Sequence, residues 1–237
     1  MAVLRACDRL RIEIYIVPRF FELGVTAGGN RYDDVWGTPM VRLRRSGMRA
    51  AARLSKRLFD IVVASGVLLL ASPVFLAAAL AVHLSTPGPV FLRQRRLGQD
   101  GREFELLKFR SMVVNEQSDT AWLAAEDYMT PVGRILRRTS IDELPQLLNV
   151  LRGEMSLVGL RPERPFFATR FMAEVRRYND RHRLPAGITG WAQVHGLKGD
   201  TPIPDRVRFD NYYIEHWSLW RDVVIIAQTI CKVLTLR

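Results

Sequence analysis

Cysteine is almost absent from this chain. Cys7 and Cys231 stand near opposite ends of 237 residues, without metal-ligand or disulfide-framework spacing, which points to a reducing, cytosol-facing location. The four histidines, His83, His182, His195 and His216, show no paired ligand spacing, so zinc chemistry is not expected. There is no internal repeat, no low-complexity tract and no clear signal peptide. No RNA-recognition, zinc-finger or zipper signature is present, and nucleic acid is not an expected partner. Acid is scarce relative to base: 24 carboxylates face 35 lysines and arginines, a net charge of +11. That balance suits an anionic membrane surface or phosphorylated substrates.

What the chain does have is one long apolar run. Residues 61–82 carry no charge, and about 22 residues of straight helix would reach about 33 Å, the thickness of a bilayer's hydrocarbon core. A single-pass span is therefore one reading, and a buried core helix is another. Pro73 falls mid-run, where it removes a hydrogen bond and breaks or kinks a helix, while the Ser72 hydroxyl can satisfy a freed carbonyl. Both flanks are basic: Arg42, Arg44, Arg45, Arg49, Arg53, Lys56 and Arg57 before, Arg93, Arg95 and Arg96 after. If both stay inside, the run enters and leaves by one face, as a re-entrant hairpin broken at Ser72 and Pro73.

Beyond the 86–89 TPGP turn, residues 90–92 and 103–109 read as strands joined across 98–101, a hairpin loaded with Arg93, Arg95, Arg96, Lys108 and Arg110. A solvated basic hairpin beside acidic headgroups is the plainer meaning. Residues 164–183 read as an amphipathic basic helix. The stretch 212–236 places Trp217 and Trp220 ahead of an apolar helix, which either lies on the bilayer or packs on the core.

Between these lies 137–165, RRTSIDELPQLLNVLRGEMSLVGLRPERP. Leu144, Leu147, Leu148 and Leu151 recur at helical spacing, and the helix is expected to close at Gly153. Pro145 belongs in its first turn, which puts Asp142 and Glu143 at or just before the N-terminus, where orphan N–H groups favour an ionised carboxylate. Ser140 and Glu143 as a capping box is the ordinary meaning of such a pattern. The surrounding Arg134, Arg137, Arg138, Arg152, Arg161 and Arg164 instead suit a site that gathers a diphosphate.

An ordered set of motifs resembles the polyprenyl-phosphate sugar-1-phosphate transferases, also called monotopic phosphoglycosyl transferases. It comprises KRLFD at 56–60, Ser72 and Pro73, PVFLRQRRLGQDG at 89–101, KFRSM at 108–112, SIDELPQLLNVLRGEMSLVGLRP at 140–162 and PAGITGWAQVHG at 185–196. The resemblance implies a mainly helical α+β fold, monotopic on the membrane. Its parts are an N-terminal remnant and basic linker over 1–53, a re-entrant helix-break-helix anchor over 54–86, and a compact cytosolic catalytic domain over 87–237 with a C-terminal interfacial helix.

The activity implied is transfer of a hexose 1-phosphate from a UDP-sugar to undecaprenyl phosphate, releasing UMP, at the cytoplasmic face of the bacterial inner membrane. The product is the first membrane-bound intermediate of an exopolysaccharide or surface glycan. Asp142 matches the family's nucleophile and Glu143 its partner. The resemblance further implies Mg²⁺ held by Asp142, phosphate contacts from Arg137, Arg161, Lys108, Arg110 and Arg96, and nucleotide contacts from Thr189 and Gln193. Membrane lipid is an implied partner, and a homodimer is left open.

The segments at 190–201 and 209–220 look more like hexose transferases, for glucose or galactose, than acetamido-sugar enzymes. Two departures from the family pattern stand out: Leu160 replaces a usual proline beside Arg161, and His195 replaces a common asparagine. Near the N-terminus, IVPRFFELG and WGTPMVRL resemble the closing part of a nucleotide-fold-like domain carried by longer relatives, so a short or truncated form is expected; a variable extension is the alternative. The competing function is a non-catalytic, basic membrane-surface scaffold.

Overall fold

The computed structural model of the chain describes residues 14–16, 33–35, 38–43, 48, 50–113 and 128–235. In the sequence, Ile12, Ile14 and Ile16 alternate with Glu13 and Tyr15 as in a strand, Gly28 to Asn30 read as a turn, and 113–130 as a polar linker; Ile12, that turn and most of the linker lie outside the described residues.

The chain divides into two units, Met1–Met48 and Arg49–Arg237. In the first, β1 (Ile14–Ile16), β2 (Asp33–Val35) and β3 (Thr38–Leu43) form an antiparallel sheet in the order β1-β3-β2. Ile14 stands opposite Leu43, and Val35 opposite Thr38.

The second unit is mostly helical. It begins with α1 (Ala50–Leu70) and α2 (Ser72–Ser85), bent by 65° at Ala71. The break has a local cause. Pro73 sits in the first turn of α2, where no N–H is needed, and the Ser72 hydroxyl donates to the Leu69 carbonyl at 2.8 Å. No single described helix is long and apolar enough to cross a membrane, but the bent pair passes that test together.

Two strands follow, β4 (Phe91–Leu97) and β5 (Glu103–Phe109), paired antiparallel from Phe91↔Phe109 to Leu97↔Glu103. Then come α3 (Pro131–Arg138), α4 (Gln146–Arg152) and β6 (Met155–Val158). The expected 164–183 helix is shorter: α5 (Pro165–Glu174) stops at Val175, which is extended, and Arg177 takes a left-handed φ of 63° before a 3-10 segment, Tyr178–Arg183. That left-handed residue cannot continue a right-handed helix. Strand β7 (Ala186–Thr189), α6 (Trp191–Val194), α7 (Ile203–Glu215) and α8 (Leu219–Thr235) complete the unit.

Strands β6 and β7 pair in parallel, with Ser156 opposite Gly187. The glycines of the GITG segment serve this contact. A Cβ on Gly187 would lie 2.1 Å from the Gly159 nitrogen, and one on Gly190 would lie 2.0 Å from the Gly159 carbonyl oxygen. Their lack of a side chain lets two backbones meet, a reason distinct from ligand approach or a tight turn.

One core cluster joins Ala78 and Val82 of α2 to Phe109 and Leu136, with Phe75, Phe91, Ile141 and Leu144 packed around them. Phe75 and Phe109 stand 4.9 Å apart. Each buried aromatic or leucine there contributes about 1.5–3 kcal/mol, so the inner face of α2 is fixed on the hairpin and the turn at 141–144. Leu69, Leu70, Leu76, Leu80 and Leu84 on the same two helices remain exposed. The last helix is divided likewise: Asp222 and Ile225 are fully buried, while Trp220, Ile230 and Val233 are exposed.

Candidate active site

Helix α3 opens on Pro131, its N-terminus capped by the Thr130 hydroxyl, which accepts from Gly133 N at 2.9 Å. It closes on Arg137 and Arg138, cations suited to the carbonyl end of a helix. Ser140 then takes a left-handed φ of 58°, and this single reversal turns Ile141 into the core and carries Asp142 and Glu143 into a 3-10 turn, Ile141–Glu143. Pro145 leads into α4, which ends on Gly153 with φ 88°. Placement of the two carboxylates just before the helix thus matches the sequence pattern. The capping box does not form: Ser140 makes no side-chain cap bond.

The neighbouring acids are in different states. Lys108 Nζ lies 2.6 Å from Glu143 Oε1 but 3.9 Å from Asp142 Oδ2. Burial lifts the Asp142 carboxyl above its ordinary range, with Glu143 adding to the shift and Lys108 and Arg137 opposing it. Burial acts on Glu143 in the same sense, but Lys108, Arg161 and Lys198 outweigh it and hold that carboxyl below its ordinary range. The expected stabilisation of charge by the helix terminus does not prevail at Asp142. It lies a turn ahead of a helix of seven residues, and the dipole's influence falls off within one turn.

Five of the proposed residues therefore converge: Asp142, Glu143, Lys108, Arg137 and Arg161. Arg137 is aimed by its neighbours, its Nε donating to Ser111 Oγ at 2.9 Å and its terminal nitrogen lying 3.0 Å from Met112 Sδ. The loop of Arg161 is tied on several sides. Arg181 donates to its carbonyl at 3.1 Å, Arg96 to the Pro162 carbonyl at 3.1 Å, and Gly187 N to the Leu160 carbonyl at 2.7 Å. Leu160 is itself buried. The loop beside this departure from the family pattern is thus held firmly.

The remaining proposed residues make structural contacts within the unit. Arg110 is buried, donating to the Thr86 and Pro87 carbonyls at 2.6 and 2.8 Å, and so closes the exit of α2. Arg96 braces the loop described above. Thr189 shares a 2.7 Å hydroxyl hydrogen bond with Thr229 of α8, and Gln193 Nε2 donates to the Ile188 carbonyl at 3.2 Å. The Gln193 Oε1 is buried with no hydrogen-bond partner among the described residues. His195 donates from Nδ1 to the Trp191 carbonyl at 2.8 Å and lies against the Trp191 ring.

Sequence alone reads Lys56 and Arg57 as part of a basic flank, whereas the structure holds the KRLFD charges in specific contacts. Lys56 pairs with Asp222 at 2.7 Å, Asp60 accepts from Leu157 N at 3.0 Å, and Arg57 donates to the carbonyls of Val150 and Leu151 at 2.5 and 2.7 Å. The motif rivets α1 to α8, β6 and the end of α4. Its signal was available in part: Lys56 and Asp60 are four residues apart, on one helical face. Asn149 was also missed. Fully buried, it accepts from Leu107 N at 3.0 Å and donates to the Glu105 carbonyl at 2.7 Å, which docks α4 on β5.

Among the described residues, no group of three or more His, Cys, Asp or Glu side chains is placed to hold a metal ion. The available donors are the adjacent Asp142 and Glu143, the latter already held by Lys108. So sparse a set fits Mg²⁺, which binds through one or two carboxylates when phosphates and water complete its shell.

Comparison with known proteins identifies the family. The model of the family described as "Bacterial sugar transferase" matches residues 51–236. A UDP-glucose:undecaprenyl-phosphate glucose-1-phosphate transferase of Escherichia coli is 42% identical over 97% of this chain and 53% of its own length. A protein of the same name from Caulobacter vibrioides is 44% identical, over 84% of this chain and 77% of its own. An Aeromonas hydrophila UDP-N-acetylgalactosamine-undecaprenyl-phosphate N-acetylgalactosaminephosphotransferase is 44% identical over 98% of this chain and 55% of its own. The chain thus spans about half the length of the Escherichia and Aeromonas relatives. With paired carboxylates in a cationic setting and a family match running through nearly the whole second unit, this chain belongs to the bacterial sugar transferases.

Proposed function

We propose that the chain transfers a hexose 1-phosphate from a UDP-sugar to undecaprenyl phosphate, releasing UMP, at the cytoplasmic face of the bacterial inner membrane. The observation that carries this is the division between the two acids: Lys108 holds Glu143 at 2.6 Å and leaves Asp142 at 3.9 Å. One carboxylate is neutralised by a fixed partner, while the other keeps its oxygens for a reacting atom.

In this reading Asp142 attacks the sugar-bearing phosphorus. A carboxylate oxygen–phosphorus bond forms, the bond to the bridging oxygen of the diphosphate breaks, and UMP departs with those electrons. An oxygen of the lipid phosphate then attacks the same phosphorus, and the carboxylate leaves. Repulsion between an anionic nucleophile and an anionic diphosphate opposes the first step. Arg137 and Arg161 offset it at the phosphoryl oxygens, and Lys108, fixed by Glu143, holds its positive charge beside Asp142. Mg²⁺ arriving with the donor, held by Asp142 with Glu143 beside it, would supply further charge neutralisation. The partnerless Gln193 Oε1 suits an N–H of the donor's base.

The bent pair α1 and α2 serves as the re-entrant anchor. Its exposed leucines form an apolar surface that water disfavours, and its basic flanks keep both ends on one side. Such a shallow anchor brings a soluble donor and a membrane-held acceptor to one point. Relatives at the same 44% identity carry glucose and N-acetylgalactosamine in their names, so the assay must span both sugars. We assign glucose or galactose on the segments at 190–201 and 209–220. The test is membrane-bound protein with undecaprenyl phosphate, Mg²⁺ and UDP-glucose, UDP-galactose or UDP-N-acetylgalactosamine, scored for UMP and glycolipid. Membrane binding without either product would make the protein a scaffold.

A further inference from the structure

Outside the carboxylate site, the second unit carries an open groove of about 370 Å³ between the outer edge of β4 and the start of α5. Arg93, Gln94, Arg95 and Arg164 line it, with Glu105, Pro165 and Phe166. Glu105 is the one acid on this wall, and its contact with Arg93 is a loose 3.7 Å between two well-exposed side chains. Arg93 and Arg95 alternate with Gln94 and Arg96 along the strand, whereas Lys108 stands opposite Leu92. By that alternation they lie on the other face of the hairpin from the lysine that meets Asp142 and Glu143. These two arginines therefore point away from the reaction site.

Its chemistry is dual. Guanidinium groups favour a phosphate, which they can bind through two parallel N–H donors. The Phe166 ring, 62% exposed, offers an apolar contact beside them. The Arg164 guanidinium lies over the neighbouring Phe167 ring at 4.9 Å, which holds the charge beside the groove. Strand β4 begins at Phe91, close in sequence to the end of α2 at Ser85. A basic groove with an apolar lip, following directly on an apolar helix pair, matches a molecule that is anionic at one end and hydrocarbon at the other.

We propose that this groove binds the headgroup phosphate of an anionic phospholipid, held by Arg93, Arg95 and Arg164 with Phe166 against the glycerol and upper acyl region. The proposal rests on the membrane anchoring inferred above. Occupancy would orient the cytosolic unit against the bilayer independently of the donor and the acceptor.

The test uses the full chain extracted in mild detergent and mixed with equal amounts of phosphatidylglycerol and phosphatidylcholine, with bound lipid read by native mass spectrometry. We expect preferential retention of phosphatidylglycerol. Arg93→Gln with Arg95→Gln should lower that preference about tenfold or more, since each basic residue near a membrane surface contributes about fivefold, with Tm unchanged. Excess UDP-glucose or inorganic phosphate should not displace the lipid. Equal retention of both lipids, or an unchanged preference in the double variant, would overturn the proposal. Displacement by UDP-glucose would reassign the groove to the donor, and displacement by inorganic phosphate would make it a general anion site; either overturns it too. These outcomes leave the membrane reading intact. A chain that leaves the membrane fraction in alkaline carbonate without detergent overturns both.

Discussion

Lys56 and Asp222, 166 positions apart, form an ion pair at 2.7 Å with side chains 5% and 0% exposed. It joins the first helix of the second unit to its last. Asp222 also accepts from the Tyr213 hydroxyl at 2.6 Å and the Trp217 indole at 3.1 Å. Removing the lysine would leave a buried carboxylate with two neutral donors, and breaking a buried pair on one side costs about 3–5 kcal/mol. Lys56→Met should therefore lower Tm substantially, while Lys56→Met combined with Asp222→Leu should recover part of the loss. Thermal unfolding of the single and double variants measures both; equal losses would mean that the pair itself contributes little.

Asp142 and Glu143 should respond oppositely. Asp142→Asn is expected to abolish UMP release, a fall on the order of 10⁴ or more if the carboxylate is the nucleophile. Its folded pKa is raised, so the folded state binds more protons than the unfolded one, and stability falls as pH rises through the window above 3.8. An amide removes that cost, so Tm at neutral pH should hold or rise. Glu143 has a lowered folded pKa, so its contribution is present above 4.5 and is lost as pH falls through the folded value. Glu143→Gln should cost about 1–2 kcal/mol at neutral pH. Turnover and unfolding measured on the same preparations check both signs. Near-normal turnover of Asp142→Asn would refute the nucleophile.

His182 supplies an acid-side limit. It is buried, donates from Nδ1 to the Gly98 carbonyl at 3.0 Å, and burial, with help from Arg181, pushes its pKa down to about 4. Between that value and 6.5 the unfolded histidine takes up a proton that the folded one refuses, so stability falls as pH drops through this window. The full difference is about 3 kcal/mol. His182→Asn should flatten unfolding free energy against pH between 6.5 and 4; an unchanged slope would assign the acid sensitivity elsewhere.

Ser72 and Pro73 should decide which way the chain turns. With native cysteines replaced by serine, Arg53→Cys and Arg102→Cys should react with an impermeant thiol reagent from the same side of sealed vesicles. Ser72→Ala with Pro73→Ala restores an N–H and removes the serine's bond to Leu69, so the two helices can join. In that background the labels should move to opposite sides in a measurable fraction of molecules. Opposite-side labelling of the unmodified hairpin would refute re-entry.

The parts legible in the sequence are those fixed by local chemistry. Pro145 and Gly153 frame α4, Ser72 and Pro73 mark the bend, and the glycines at 98 and 101 mark the β4–β5 connection. What was not legible depends on distant partners. KRLFD reads as a basic approach to an apolar run, and nothing near it predicts Asp222 or the carbonyls at the end of α4. The family resemblance puts Arg110 among the phosphate contacts, but its guanidinium meets the carbonyls of 86 and 87. The glycines at 187 and 190 answer to Gly159, which no spacing rule connects to them. At Asp142 the local rule gave the position but not the charge balance, because burial is a property of the packed molecule.

Helix α4 is gripped at its far end by Arg57, and the carboxylate turn precedes its near end. Seven residues at 1.5 Å each make a strut of about 10 Å. This strut works as a caliper, setting both reach and azimuth between α1 and the two acids. One inserted residue would rotate the acids by about 100° around the helix axis.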